Sequence, residues 1–277
     1  MIRPVFPIIL TVALVACALC HAQTASSCPN SKGYNRVHQI AGYSVQISPG
    51  VKASATDQCR ASVTRSGGSH TIFARGWSLW IDDISGNDIN QSGVPDVVFD
   101  TYTGNQGCCF EYTILSLGKS PVVVRKIQNQ VPVYFRKQTD GSVVIHTGDG
   151  AFDLFMLSNT ESVFPEVWLR LDGSELKDIS DEFTAEYDEK IAKARSELTP
   201  AALEKFRSSD FHQQLYGDQH ETVRRVLIVV LNYLYSGRED QAWQALDEMW
   251  PPADESRVRS LILERRKRGL LAQIGTP

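Results

Sequence analysis

Short apolar runs separated by polar turn residues fill the first two thirds of the chain. Tyr43–Ile47, Arg60–Arg65, Thr71–Ile81, Val94–Tyr102, Phe110–Leu117, Val122–Ile127, Val131–Arg136, Val143–Thr147, Ala151–Leu157 and Val167–Leu171 are rich in Val, Ile and aromatic residues. Such residues suit a pleated, half-buried surface, and Gly, Asn, Asp, Ser or Pro separates most of the runs. Within Thr71–Ile81, Phe73, Trp77, Leu79 and Ile81 share one face, with Arg75 the exception. Asp140-Gly141 falls between two runs and predicts a hairpin turn. A spacing of about 8–12 residues predicts an antiparallel meander of sandwich-like or propeller-like form.

Past Asp172 the pattern turns helical. Ser180 and Asp181 can cap a helix running to about Glu197, and Thr199-Pro200 opens another with proline in the first turn. Val223 to Tyr235 is apolar on nearly every face and too short to cross a bilayer, which predicts a central buried helix. Gly237 breaks it. Glu239–Met249 resumes, Trp250-Pro251-Pro252 stops it, and a last helix runs from about Asp254 to Arg268. The fold class is therefore α+β, with an antiparallel β domain over residues 23–172 and an α-helical domain over 173–277.

Composition sharpens that division. Residues 1–172 carry 13 basic and 13 acidic side chains, and the shorter remainder carries 15 and 19. Glycine moves the other way, with 14 before the divide and 5 after. At 42% hydrophobic and 22% charged, the chain can build an ordinary core, which excludes wholesale disorder. A net charge of -4 and a pI near 5.9 argue against a nucleic-acid-binding protein.

Residues 1–22 read as an export signal: Arg3, an apolar run from Val5 to Cys20, and Ala22 as the small residue at the cleavage point. Leu14-Val15-Ala16-Cys17 also resembles a bacterial lipobox, in which Cys17 would be lipidated. The expected location is periplasmic or secreted, with a lipoprotein as the alternative and no transmembrane span. Four cysteines remain after the signal. Cys28 with Cys59 closes a loop near the mature N-terminus and leaves Cys108 beside Cys109. A bond between adjacent residues is strained, because their Cα atoms lie about 3.8 Å apart, below the usual disulfide range. The alternative is that Cys108 and Cys109 pair elsewhere or stay buried and inert.

The sharpest motif is Asp88-Ile89-Asn90-Gln91-Ser92-Gly93-Val94-Pro95-Asp96. Asp88, Asn90, Ser92 and Asp96 carry oxygen-bearing side chains at relative positions 1, 3, 5 and 9. Gly93 provides a sharp turn at position 6, and Val94 offers its backbone carbonyl at position 7. This oxygen set suits Ca2+. Phe99 stands where an EF-hand needs a bidentate glutamate, and the run after Asp96 is strand-like, so an EF-hand is disfavoured. With serine at position 5 the loop holds two full charges, from Asp88 and Asp96, which predicts weak binding, about 10⁻⁴–10⁻³ M. The alternative is a polar Asx turn that binds nothing.

Loop and strand together resemble the FG-GAP or VCBS repeats of integrin-like β-propellers. Thr103-Gly104-Asn105-Gln106-Gly107-Cys108-Cys109 looks like the glycine-rich turn with paired cysteines found beside this loop in exported bacterial proteins of that kind. The resemblance covers about Trp80 to Gly118, more faintly Leu169–Gly173, and implies a non-catalytic, calcium-braced binding module. Val226–Pro251 resembles a single tetratricopeptide (TPR) repeat, on Tyr233, Ser236-Gly237-Arg238-Glu239, Ala242 and Leu246. One repeat is fewer than the roughly three a stable array needs, so a simple helical bundle is the alternative.

The mature histidines, His38, His70, His146, His212 and His220, form no HxxxH or HExxH pair, and no GxSxG elbow, Walker loop or dinucleotide fingerprint occurs. Asp82 and Asp83 are further candidate ligands beside the loop. Trp77 or Trp80 could line a carbohydrate or peptide surface. Arg257, Arg259, Arg265, Arg266, Lys267 and Arg268 make the last helix basic, either a solvated face or a contact for anionic lipid. The sequence therefore predicts an exported, non-catalytic binding or scaffold protein of the cell envelope, with an unidentified protein or carbohydrate partner. The rival is an envelope hydrolase using carboxylates near Glu111.

Overall fold

The computed structural model describes residue 28 and residues 36–50, 58–65, 68–104 and 109–274. Residues 1–22, expected to be an export signal and containing Cys17, lie outside the described residues, as does Cys108. Twelve described strands form three antiparallel sheets, each a meander of four consecutive strands. The first contains β1 (Arg36–Ile40), β2 (Tyr43–Pro49), β3 (Cys59–Arg65) and β4 (Thr71–Gly76). The second contains β5 (Ser78–Ile81), β6 (Asp96–Tyr102), β7 (Phe110–Leu117) and β8 (Pro121–Asn129). The third contains β9 (Val133–Lys137), β10 (Val143–Gly148), β11 (Glu166–Asp172) and β12 (Glu175–Asp178).

Period-two alternation stacks these sheets. Val45, Ile47, Ala61 and Val63 of the first sheet pack on Leu79, Val97, Phe99 and Leu115 of the second. The residues between them, Val98, Tyr112 and Ile114, belong to another cluster shared with Val133, Ile145, Val167 and Leu169 of the third sheet. The second sheet is thus buried on both faces, which explains why β6 and β7 read as near-continuous apolar runs.

Two expected strands differ. Thr71–Ile81 is two strands, because the chain leaves the first sheet at Gly76 and enters the second at Ser78. A Cβ at Gly76 would collide with Thr101 and the Tyr102 carbonyl, so only glycine permits the crossing. Ala151–Leu157 is a loop that begins with a 3-10 turn, Gly150–Phe152, and buries Phe152, Phe155 and Leu157. The Asp149 carboxylate accepts from the Ala151 N–H, and Leu154 and Met156 take left-handed φ values, which no ladder tolerates. The Asp140-Gly141 hairpin joins β9 to β10 as expected, with Gly141 at φ +88.

A 3-10 turn, Ser180–Phe183, leads into six helices: α1 (Thr184–Ser196), α2 (Pro200–Arg207), α3 (Phe211–Tyr216), α4 (His220–Tyr235), α5 (Glu239–Met249) and α6 (Glu255–Arg266). The Thr199 hydroxyl caps α2 by accepting from Ala202 N at 3.2 Å, with Pro200 in the first turn. A capping box between Asp210 and Gln213 starts α3, which the apolar pattern did not predict. Gly237, at φ +79, makes the turn between α4 and α5.

As expected, α4 is central. Val226, Leu227, Val229, Val230 and Leu231 are fully buried and belong to the same cluster as the third sheet. The change of composition near Asp172 therefore marks where strands give way to helices, while one hydrophobic core runs across it.

Candidate metal centre

The Asp88–Asp96 loop enters the second sheet at the start of β6. Ile89 is fully buried and anchors the loop in the core. That burial removes the neighbouring N–H groups from water, and the loop's own carboxylates replace it. Asp96 Oδ2 accepts from Ile89 N at 2.7 Å and from Asn90 N at 3.1 Å. Asp88 accepts from Ser92 N at 2.9 Å and Gly93 N at 2.8 Å, one on each oxygen. Asn90 Oδ1 also takes the Ser92 N–H. Gln91 and Gly93 adopt positive φ, which produces the sharp turn. The loop is keyed to the third sheet, since Gly173 N donates to Asn90 O at 2.8 Å and Lys137 donates to Asn87 Oδ1 at 2.9 Å.

Asp96 is fully buried, and its Oδ1 makes no hydrogen bond of good geometry. Burial pushes its pKa above the ordinary carboxylate value, and the charge of Asp88 adds to the rise. The Ile89 and Asn90 N–H groups and the Ser116 hydroxyl opposite pull it back in part. Two neighbouring carboxylates, one of them buried with an oxygen that makes no bond of good geometry, are the acidic part of a cation's donor set. The remaining donors, Asn90, Ser92 and the Val94 carbonyl, are the neutral oxygens Ca2+ accepts. Among the described residues, no group of three or more His, Cys, Asp or Glu is placed to hold a metal, so this loop offers two carboxylates and no third.

Other candidates are placed as follows. In the antiparallel register Glu111 lies opposite Thr101, whereas Asp100 lies opposite Tyr112 and Asp96 opposite Ser116. Paired residues share a face and successive residues alternate, so Glu111 points away from both aspartates. It is held by Lys126 at 2.7 Å and Gln128 at 3.0 Å. Burial raises its pKa, and those two partners more than reverse the rise. Asp100 faces Asp82 electrostatically instead. Burial and the Asp82 charge push Asp100 up to about 6. Both line a cavity of about 340 Å³ with Asp83, Trp80 and Phe110, while Trp77 is 41% exposed.

Cys28 and Cys59 form the expected disulfide, with Cα atoms 5.7 Å apart. Cys109 is also disulfide-bonded. His146 lies within β10, stacked on Trp168 and 3.2 Å from Glu166. Arginines of the last helix are engaged within the fold. Arg257 covers Phe211, Arg259 covers Trp243, Arg265 donates to Ala151 O, and Arg266 pairs with Glu239. None of the described helices is long and apolar enough to cross a membrane.

The fold and loop together define an α+β chain of three stacked four-stranded meanders closed by helices, with one acidic turn between sheets. Compared with known protein families, curated proteins and solved structures, the chain matches none.

Sequence reasoning passed over Asp149, a fully buried carboxylate. Its Oδ2 accepts from the Tyr235 hydroxyl at 2.7 Å, and its Oδ1 accepts from Leu270 N at 3.1 Å and Ala151 N at 3.0 Å. A lone acid between glycines, flanked by apolar runs, is the signal that could have marked it.

Proposed function

We propose that the chain is a non-catalytic binding or scaffold protein of the cell envelope, exported and braced by a weak structural Ca2+ in the Asp88–Asp96 loop. Asp88, Asn90, Ser92, the Val94 carbonyl and Asp96 would hold the ion. Bound there, Ca2+ supplies positive charge and replaces missing hydrogen bonds. The observation that carries the reading is the buried Asp96 carboxylate, whose Oδ1 has the Ser116 hydroxyl nearby but no bond of good geometry, beside the like-charged Asp88. The loop's bonds to Gly173 and Lys137 give the ion a structural task, fixing how the second sheet meets the third. The three meanders have the strand count of propeller blades, which supports the FG-GAP resemblance at the level of architecture.

Melting of the mature protein with Ca2+ and with chelator tests this reading. Asp88 already accepts two backbone N–H bonds, so Asp88→Ala lowers stability in chelator too, by about 1–2 kcal/mol. The informative quantity is the Ca2+-dependent increment. It is present in wild type and absent in Asp88→Ala; equal increments in both proteins would reject the loop as the site.

A further inference from the structure

A cavity of about 330 Å³ opens between the second sheet and the loops of the third. Its volume lies within the range of small-molecule sites. Three aromatic side chains line it: Tyr102 at the end of β6, Phe110 at the start of β7, and Phe164 from the segment between β10 and β11. Tyr102 and Phe110 are register partners with ring centroids 5.5 Å apart. All three side chains are partly exposed. Rings gathered in a concave wall and left open to water offer apolar faces that the chain itself does not cover.

The polar lining is of one kind. Gln130, Asp153 and Asn159 bring planar carboxamide or carboxylate groups, and no lysine, arginine or histidine lines the cavity. Asp153 is held by its own segment. Its Oδ1 accepts from Asn159 Nδ2 at 2.8 Å and from the Ser162 hydroxyl at 3.3 Å. Its Oδ2, the Asn159 Oδ1 and the Gln130 carboxamide have no partner among the described residues. Gln130 and Asn159 are exposed, and none of these unpaired atoms is sealed from water.

Phe110 also lines the cavity of about 340 Å³ that holds Trp80, Asp82, Asp83 and Asp100. The two cavities therefore adjoin across one ring. Their linings combine aromatic rings, amides and four carboxylates, again without a basic side chain.

A ligand matched to this lining offers C–H faces to the rings, hydroxyls to the planar acceptors, and no negative charge. Pyranose rings have that build. We propose that the two cavities form one groove for a neutral oligosaccharide. One sugar lies against Phe164 and the Tyr102–Phe110 pair, donates hydroxyls to Asp153 Oδ2 and Asn159 Oδ1, and accepts from Gln130. The next sugar passes Phe110 toward Trp80. The four carboxylates repel uronic, sialic and phosphorylated sugars. This names a ligand class for the binding role proposed above, on which it rests, and it leaves the calcium loop aside.

The test titrates the purified full chain with cellotetraose, acetylated chitotetraose and maltotetraose at up to millimolar concentration. Amide-resolved NMR reads binding in Ca2+ and again in chelator, with tetragalacturonate as the anionic control. At least one neutral tetramer should shift Phe110, Asp153 and Phe164 saturably in both conditions, so failure of the calcium loop would leave the groove standing. The control should bind about 10-fold more weakly or not at all. Gln130→Ala, at an exposed position, should weaken binding about 5-fold, the worth of one hydrogen bond. Phe164→Leu keeps apolar bulk but removes the ring and should weaken it by about the same factor. If that variant fails to fold, Gln130→Ala and the tetragalacturonate comparison still decide. The proposal is overturned if no neutral tetramer gives saturable shifts, if the shifts fall outside the groove, or if tetragalacturonate binds as tightly. Hydrolysis of a bound tetramer would uphold the groove and overturn the non-catalytic role instead.

Discussion

Removing one hydroxyl, Tyr235→Phe, tests whether strands and helices share one cooperative core. Tyr235 ends α4 and donates to Asp149 Oδ2 at 2.7 Å. Asp149 follows β10, and its Oδ1 also accepts from Leu270 in the C-terminal turn, so one carboxylate ties three segments together. Phenylalanine conserves the ring, which keeps its edge-to-face contact with Phe152 and leaves no cavity. What is lost is a hydrogen bond to a fully buried carboxylate, worth about 1.5–3 kcal/mol. For a domain of this size each kcal/mol lowers Tm by about 2–4 °C, so the variant should melt roughly 3–12 °C lower. The assay is thermal unfolding by circular dichroism with native-state hydrogen exchange. Strand β10 and helix α4 should lose protection together. A Tm change below about 1 °C, or loss of protection confined to α4, would refute the shared core.

Further outcomes follow from the same geometry. A Cβ at Gly269 would collide with the Asp149 carboxylate, so Gly269→Ala should destabilise at least as much as Tyr235→Phe by calorimetry; an unchanged melting curve would contradict the packing. Asp100 has a folded pKa raised to about 6, so its contribution is fully present below about pH 3.8 and is lost as pH rises through 6. Asp100→Asn should therefore raise stability near pH 7 by up to about 3 kcal/mol and change it little near pH 4, read from urea midpoints at the two values. Replacing Cys28 and Cys59 by serine opens a closure of sequence separation 31 and should cost about 4 kcal/mol by chain entropy; an unaltered urea midpoint would show that the bond constrains nothing.

The features legible in the sequence were those carried by local pattern. β2, β3, β7 and β10 announce themselves through Val, Ile and aromatic residues, and α4 through its nearly continuous apolar run. β1 and β12 were invisible for a physical reason: β12 buries only Leu176 in an otherwise charged strand, and β1 is polar with an exposed Val37. Their pairing comes from neighbours. Ala151–Leu157 misled because Phe152, Phe155 and Leu157 are core residues of a loop shaped by Asp149, with Leu154 left exposed.

The same divide runs through the candidate sites. Oxygen spacing and Gly93 exposed the Asp88–Asp96 turn, but not that Asp96 would be buried with one oxygen making no bond of good geometry. Which face Glu111 occupies depends on register with β6, a non-local property. The Asp149–Tyr235 bond spans 86 residues, and Phe164 looks like an ordinary loop residue until folding brings it to one cavity with Tyr102 and Phe110.

Calorimetric titration of Ca2+ into the purified protein, followed by melting at the end point, tests the calcium loop most directly. One site with Kd of about 10⁻⁴–10⁻³ M is expected. At ten times Kd such a site stabilises by about 1.4 kcal/mol, a rise in Tm of about 3–6 °C that chelator abolishes. Absence of binding heat, with superimposable melting curves in Ca2+ and in chelator, would mean that the Asp88–Asp96 turn is held by its own backbone hydrogen bonds alone.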